Sequence, residues 1–289
     1  MKRKLICLPY AGGTAADFDF LAPYVAEQYD VTAVEYAGHG TRRRDSFYTE
    51  FQEMVEDAAR QISDILNEAR IPAESGEAAE SGEAAESGEA VGSGKTAESG
   101  ETVESGKAAE SGKAAESGEA AESGTAQSPD YVLFGYSMGS IVAYEMIAQR
   151  LLPKAPAGIL FASHEAPDQE WESKKCRLLE DVAFFEQVQE AGGLQGLTPD
   201  RLNNRFFRKL YFDPLRVDYD LLGRYQCTGC IVPDMPSALI YSPKDIDPEL
   251  IRHWERFLRP GSQILQMGER HFFFQDMPEA VAEVLVNLV

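Results

Sequence analysis

The chain has 289 residues, with 27 Lys+Arg against 48 Asp+Glu and a formal net charge of −21. That balance excludes sequence-independent nucleic-acid binding, which needs cations to displace counterions from phosphates, and an electrostatic hold on anionic membrane. No apolar stretch approaches the roughly 18 residues of a membrane span, and four cysteines in a chain of this length form no disulfide framework, so a cytoplasmic protein with reduced thiols is expected.

In chain order, Lys4–Leu8 reads as a short buried strand stopped by Pro9. Its apolar run is too short for an export signal, which needs roughly 7–15 residues. Pro9–Thr14 is a turn of small residues, and Thr14 caps a helix to about Gln28. Val31–Glu35 reads as a second strand, followed by the glycine loop Ala37-Gly38-His39-Gly40. Tyr48–Ala69 has helical periodicity through Phe51, Met54, Val55, Ala58, Ile62, Ile65 and Leu66.

Residues 74–124 do not belong with the rest. Ser-Gly recurs there every six residues, filled with Ala, Glu, Lys, Thr and Val and without an aromatic residue. Six is no multiple of 3.6, so the alanines make no stripe, and each glycine weakens a helix by about 1 kcal/mol. Such a tract buries too little surface to offset chain entropy and reads as a disordered low-complexity insertion. It holds 13 Glu and 3 Lys, so nearly half of the net charge sits in it. The remaining body is large enough for one core, and residues 1–289 read as a single domain interrupted by the tract.

Tyr131–Phe134 is a compact strand running into Gly135-Tyr136-Ser137-Met138-Gly139 and then a helix from Ser140 to about Leu152. Gly158–Ala162 is another strand. Residues 173–225 lack strand signals and show helical patterns around Leu178–Glu190, Pro199–Leu210 and Pro214–Tyr225, as an inserted helical lid would. Ala238–Ser242 is a strand, Pro248–Leu258 a helix, Ser262–Met267 a strand and Pro278–Leu288 a closing helix. Strands alternating with helices predict an α/β fold, a mostly parallel sheet with helices on both faces.

The chemistry centres on Gly135-x-Ser137-x-Gly139. A nucleophilic serine on a sharp strand-to-helix turn is lifted above the sheet, and glycines on either side avoid collisions with neighbouring backbone. An acid and a histidine follow in the chain order of an α/β-hydrolase, each in a loop just past the carboxyl end of a strand, where ligands bind in such sheets. His271 is the candidate general base and Asp245 the acid that fixes its tautomer. Asp247, the alternative, reads better as the N-cap of the helix opened by Pro248. The oxyanion hole is assigned to the amides of Met138 and Ala11, with Tyr10 as second choice for the latter. Cys227-x-x-Cys230 is half a zinc or redox spacing without a second half, so neither metal nor cofactor is expected. His39 and His164 read as loop residues near the mouth, and His253-Trp254 as packing. Phe272-Phe273-Phe274 reads equally as acyl pocket or core.

Leu8-Pro9-Tyr10-Ala11-Gly12-Gly13, Gly38-His39-Gly40-Thr41-Arg42, Gly135-Tyr136-Ser137-Met138-Gly139, Leu215-Arg216-Val217-Asp218 and His271-Phe272-Phe273 together resemble, in order and spacing, the type II (external) thioesterases of non-ribosomal peptide and polyketide synthesis. The resemblance covers the body and not the repeat. It implies an α/β-hydrolase with a helical lid, a Ser137–Asp245–His271 triad, and acyl or aminoacyl substrates misloaded on the phosphopantetheine arms of acyl or peptidyl carrier domains. The chain departs from that pattern at His39, where Arg is common, and at Ser242-Pro243, where the strand before the acid ends in glycine. A monomer that docks acidic carriers would need a local basic patch. Arg201, Arg205, Arg208 and Lys209, or Arg42-Arg43-Arg44, offer one, although a solvated helix face is the equal reading. The other functional readings are a serine esterase or acyltransferase on small-molecule esters, and a non-catalytic interaction protein working through the acidic tract.

Overall fold

The computed structural model describes residues 2–68, 131–227 and 229–289; the tract expected at 74–124 lies outside the described residues. The strands are β1 (Arg3–Leu8), β2 (Tyr29–Ala33), β3 (Tyr131–Tyr136), β4 (Gly158–Ala162), β5 (Ser237–Tyr241) and β6 (Gln263–Gln266). They form one six-stranded sheet in the order β2-β1-β3-β4-β5-β6, and every neighbouring pair is parallel. The central strands β3, β4 and β5 are buried at every position, as parallel strands covered on both faces must be.

The helices are α1 (Ala22–Val25), α2 (Phe51–Glu68), α3 (Met138–Ala148), α4 (Glu172–Cys176), α5 (Asp181–Glu190), α6 (Arg205–Phe207), α7 (Asp213–Arg224), α8 (Pro248–Ile251), α9 (Phe273–Asp276) and α10 (Pro278–Val286). Side chains alternate between sheet faces along a strand. In β1, Ile6 and Leu8 join the cluster with Met54, Ile62 and Ile141 from α2 and α3, whereas Leu5 and Cys7 join the opposite one with Val25 and Leu285 from α1 and α10. Glu172 to Arg224 contains helices and no strand among its residues, and its own apolar cluster holds Phe184, Phe185, Phe212 and Leu215. No helix among the described residues is long and apolar enough to cross a membrane.

Several sequence-based boundaries shift, for physical reasons. The helix expected after Thr14 is a 3₁₀ turn over Ala15–Leu21 followed by the short α1. The second strand covers Tyr29–Ala33 rather than Val31–Glu35, because Glu35 turns away to bind backbone amides at Ala15 and Thr41. The expected helix over Pro199–Leu210 breaks at Asn204, whose side-chain oxygen accepts from the Phe206 and Phe207 amides and starts a new helix. A π turn over Arg208–Phe212 then leads into α7. Beyond β5, the sequence reading of Asp247 holds: its carboxylate accepts from the Glu249 amide at 2.8 Å and caps α8. Asp247→Ala should therefore cost about 0.5–2 kcal/mol of stability, measured by chemical denaturation; an unchanged unfolding midpoint would contradict the cap.

Candidate active site

The site grows from the end of β3. Ser137 follows Tyr136 directly, and its backbone sits at φ 52°, ψ −120°, a conformation that costs a side-chain-bearing residue about 1–3 kcal/mol. Surrounding bonds hold it there. The Ser137 amide donates to the Ala162 carbonyl at 2.8 Å. The buried Ser140 hydroxyl donates to the Gly135 carbonyl at 2.8 Å and accepts from the Ala162 amide at 3.0 Å. The two flanking glycines are required by contact rather than by φ. A Cβ at Gly135 would lie 2.5 Å from the Gly139 carbonyl oxygen, and one at Gly139 would lie 2.1 Å from the Leu8 carbonyl oxygen. The first turn of α3 is thus pressed against the end of β1.

His271 lies in the loop beyond β6. Its Nδ1 is 2.8 Å from Asp245 Oδ2, in the turn after β5, and both side chains are largely shielded from solvent. An Nδ1–H donated to the carboxylate leaves Nε2 as the basic nitrogen. The His271 carbonyl is itself held by two hydroxyl donors, Tyr136 Oη and Ser163 Oγ. Burial pushes the Tyr136 phenol well up, so it remains a donor. The described residues show no hydrogen bond between Ser137 and His271, but both line one cavity of about 270 Å³. Its walls include Ala11, Val188, Leu215, Tyr219 and Phe272. An adjoining space of about 180 Å³ shares Ser137, Ala11 and His271 and adds His164, Glu165 and Cys176. A larger cavity of about 540 Å³ lies at the amino ends of β5 and β6, around Ser237, Ser262 and Gln263, away from this chemistry.

Among the amides expected to form an oxyanion hole, Met138 is the first residue of α3, where an N–H has no intrahelical acceptor. Ala11 lines the same cavity. The next two amides are already engaged: Gly12 donates to Asp218 Oδ2 at 2.7 Å, and Gly13 to the Tyr10 carbonyl at 2.8 Å. The Tyr10 ring packs edge-on against Phe272, with centroids 4.9 Å apart.

Other sequence readings divide. His39 lies in the glycine loop, as read, but inside the protein and not in the lining of either space beside Ser137. It is buried, with Nε2 2.9 Å from Asp218 Oδ2 and Nδ1 3.1 Å from the Ala37 carbonyl. Burial opposes its charge, but the Asp218 carboxylate outweighs that and raises the imidazole pKa above its ordinary value. The signal of this pair in the sequence is an aspartate within an apolar helical pattern: Asp218 shares the buried face of α7 with Leu215, Leu221 and Leu222. His164 lines the smaller space, and burial lowers its pKa, which keeps it neutral. Phe272 lines the cavity, whereas Phe273 and Phe274 are core. Trp254 is buried packing that donates to the His164 carbonyl, while His253 meets Gln169.

The expected basic patch contracts. Arg208 is paired with Asp181 at 2.7 Å and Asp213 at 3.3 Å, and Arg42 with Asp45 and Asp57. Arg201, Arg205 and Lys209 are exposed beside Phe206, Leu210 and Tyr211. Cys227 and Cys230 are free thiols, and no group of three His, Cys, Asp or Glu that could hold a metal occurs among the described residues.

Residues 5–284 match the alpha/beta hydrolase family, and the chain belongs to it. It is similar to the gramicidin S biosynthesis protein GrsT of Aneurinibacillus migulanus, 20% identical over 286 residues, which are 97% of this chain and 86% of that one. Among solved structures it is similar to the RedJ thioesterase from the prodiginine biosynthetic pathway in Streptomyces coelicolor, at TM-score 0.64 and 21% identity, covering 99% of this chain and 85% of that one. It is also similar to BorB, the type II thioesterase from the borrelidin biosynthetic cluster, at TM-score 0.63 and 18% identity, with 99% and 92% covered.

The contact between α3 and β1 sets the elbow. Gly139→Ala should destabilise the protein by about 1–3 kcal/mol through overpacking, read as a lowered unfolding midpoint; wild-type stability would mean that the helix can move off the Leu8 carbonyl at no cost.

Proposed function

We propose that this alpha/beta hydrolase is a thioesterase that frees acyl or aminoacyl groups from the phosphopantetheine arms of carrier domains, and so clears misloaded synthases of the non-ribosomal peptide and polyketide kind. The observation that carries this reading is a strained serine at a strand-to-helix elbow sharing one cavity with a histidine whose other nitrogen is 2.8 Å from a carboxylate. The substrate class is supported by similarity, along nearly the whole chain, to thioesterases of the prodiginine biosynthetic pathway and the borrelidin biosynthetic cluster.

In this reading Ser137 Oγ attacks the thioester carbonyl while its proton passes to His271 Nε2. Negative charge gathers on the carbonyl oxygen, where the Met138 and Ala11 amides donate to it, each worth about 3–4 kcal/mol. Collapse breaks the carbon–sulfur bond, and the arm leaves as a thiol with the proton from His271. Water gives a proton to the same nitrogen, attacks the acyl-enzyme and releases the free acid and Ser137. Asp245 keeps Nδ1 protonated and stabilises the imidazolium that forms twice in the cycle. Val188, Leu194, Leu215 and Tyr219 give the acyl chamber mainly apolar walls, and all four come from the 173–225 helical segment, which serves as the lid. The exposed cations Arg201, Arg205 and Lys209, set among exposed Phe206 and Leu210, suit the phosphodiester of the arm and an acidic carrier surface. The 74–124 tract is an insertion with no part in the chemistry.

Hydrolysis of a panel of acyl-phosphopantetheine carriers tests the reading. Wild type should release free acid, Ser137→Ala should be inert, and Asp245→Asn should retain the fold with kcat lower by about 10³–10⁴-fold. Hydrolysis by Ser137→Ala at the wild-type rate would end the proposal, and simple esters cleaved far faster than carrier thioesters would favour an esterase. For docking, Arg205→Glu combined with Lys209→Glu should raise KM for the carrier-bound thioester about tenfold and leave a small soluble thioester unaffected, the difference that lost charge complementarity makes. Equal effects on both substrates would remove this surface from the proposal.

A further inference from the structure

We infer that His39 and Asp218 are positioning residues, a buried pair on the helical segment and the glycine loop that fixes the oxyanion-forming amide of Ala11. The inference rests on the thioesterase reading above and adds residues to it.

The geometry is specific. Two peptide planes flank Ala11. The one that carries its N–H is the Tyr10–Ala11 peptide, whose carbonyl accepts from the Gly13 amide at 2.8 Å. The other is the Ala11–Gly12 peptide, whose N–H donates to Asp218 Oδ2 at 2.7 Å. With both planes held, the direction of the Ala11 N–H is set before substrate arrives, which is what an oxyanion donor requires. Asp218 reaches the loop from α7, and Leu215, one turn earlier on the same face, seats against Gly12. There a Cβ would lie 2.9 Å from Leu215 Cδ1, and the backbone is at φ +76°.

Asp218 is almost wholly buried, and its other oxygen, Oδ1, has no partner. All of its compensation therefore comes through Oδ2, from the Gly12 amide and from His39 Nε2. His39 faces acceptors on both ring nitrogens, a carbonyl at Nδ1 and a carboxylate at Nε2. A neutral imidazole has a single N–H and satisfies only one of them, so the imidazolium is the form that fits. The groups around the ring agree with a cation. Asp218 faces it from α7 and Glu35 acts on it from the segment after β2; the Tyr36 and Phe47 rings pack against it in T-shaped contacts. The raised pKa of His39 has a direct consequence. The cation is present below that pKa and lost as pH rises through it, which leaves the Asp218 carboxylate buried without its counter-charge.

The test is steady-state hydrolysis of one acyl-carrier thioester over a pH series, with folding checked by thermal unfolding. Asp218→Ala should lower kcat at least about tenfold while KM stays within about twofold, because the amide it orients acts on the transition state. Asp218→Asn is the conservative rescue. Its carbonyl oxygen, placed where Oδ2 is, accepts from the Gly12 amide and from the Nε2–H of a neutral His39, so kcat near neutrality should stay within about threefold of wild type. The fall of wild-type kcat on the alkaline side should be missing from Asp218→Asn. An Asp218→Ala protein with wild-type kcat, or Asp218→Asn as impaired as Asp218→Ala, overturns the inference. Should Asp218→Ala fail to fold, the pH series of Asp218→Asn decides: an alkaline fall identical to wild type overturns it. If wild type shows no Ser137-dependent hydrolysis, the thioesterase reading fails and this inference with it. If wild type is active and the Asp218 variants match it, the positioning role alone fails.

Discussion

The approach of α3 to the end of β1 is the constraint on which the site depends. Gly139 lies so close to the Leu8 carbonyl that no side chain fits between them, and this contact leaves Ser137 no relaxed conformation at the end of β3. A strained φ of 52° persists only where the surroundings over-determine it. Here they do so three times: through the Ser137 amide on Ala162, the Ser140 hydroxyl between β3 and β4, and the close packing of Gly135 on the first turn of α3. The strain is held by the most deeply buried strands of the sheet, where breathing of the chain is costliest.

The other site residues are fixed from the same frame. Tyr136, the residue before the serine, holds the His271 carbonyl through its phenol, and Ser163, just beyond β4, holds it too. Ser137 stands directly on the end of β3, and the loop that carries His271 is tied to the ends of the adjacent strands β3 and β4. Asp245 completes the set from the turn after β5, itself closed by a hydrogen bond from the Asp245 amide to the Ser242 carbonyl. Three loops at the carboxyl edge converge because β3, β5 and β6 lie in one parallel sheet and end on the same side.

How much of this was legible in the sequence follows from the range of the interactions involved. The strands could be read because parallel strands buried on both faces are short continuous apolar runs, and β3, β4 and β5 are such runs. The choice of Asp245 over Asp247 as the histidine's partner could be read because an N-cap is a local interaction, decided by Pro248 and the amides after it. The break at Asn204 was also local, yet it was hidden inside an apolar periodicity that continues on both sides of it. The His39–Asp218 pair and the ion pairing of Arg208 to Asp181 were not legible, since each joins segments whose proximity only the tertiary fold decides. The clue that existed was a carboxylate on the apolar face of α7.

That carboxylate ties two parts of the molecule that a hydrolase could otherwise keep separate. Leu215 and Tyr219 of α7 line the cavity shared by Ser137 and His271, and Asp218, between them in sequence, holds the Gly12 amide. One helix therefore bears on both the walls of that cavity and the loop after β1. Rotation of α7 by even a few tens of degrees would carry Leu215 off Gly12 and Asp218 off His39 together, because residues three apart share a helix face. An unpaired Asp218 in that buried setting is costly, which holds α7 against the loop. The cavity wall and the loop after β1 consequently keep one common geometry. The residue types that secure it, a titratable histidine and a buried aspartate, confer a dependence on protonation that an apolar contact between the same elements would lack.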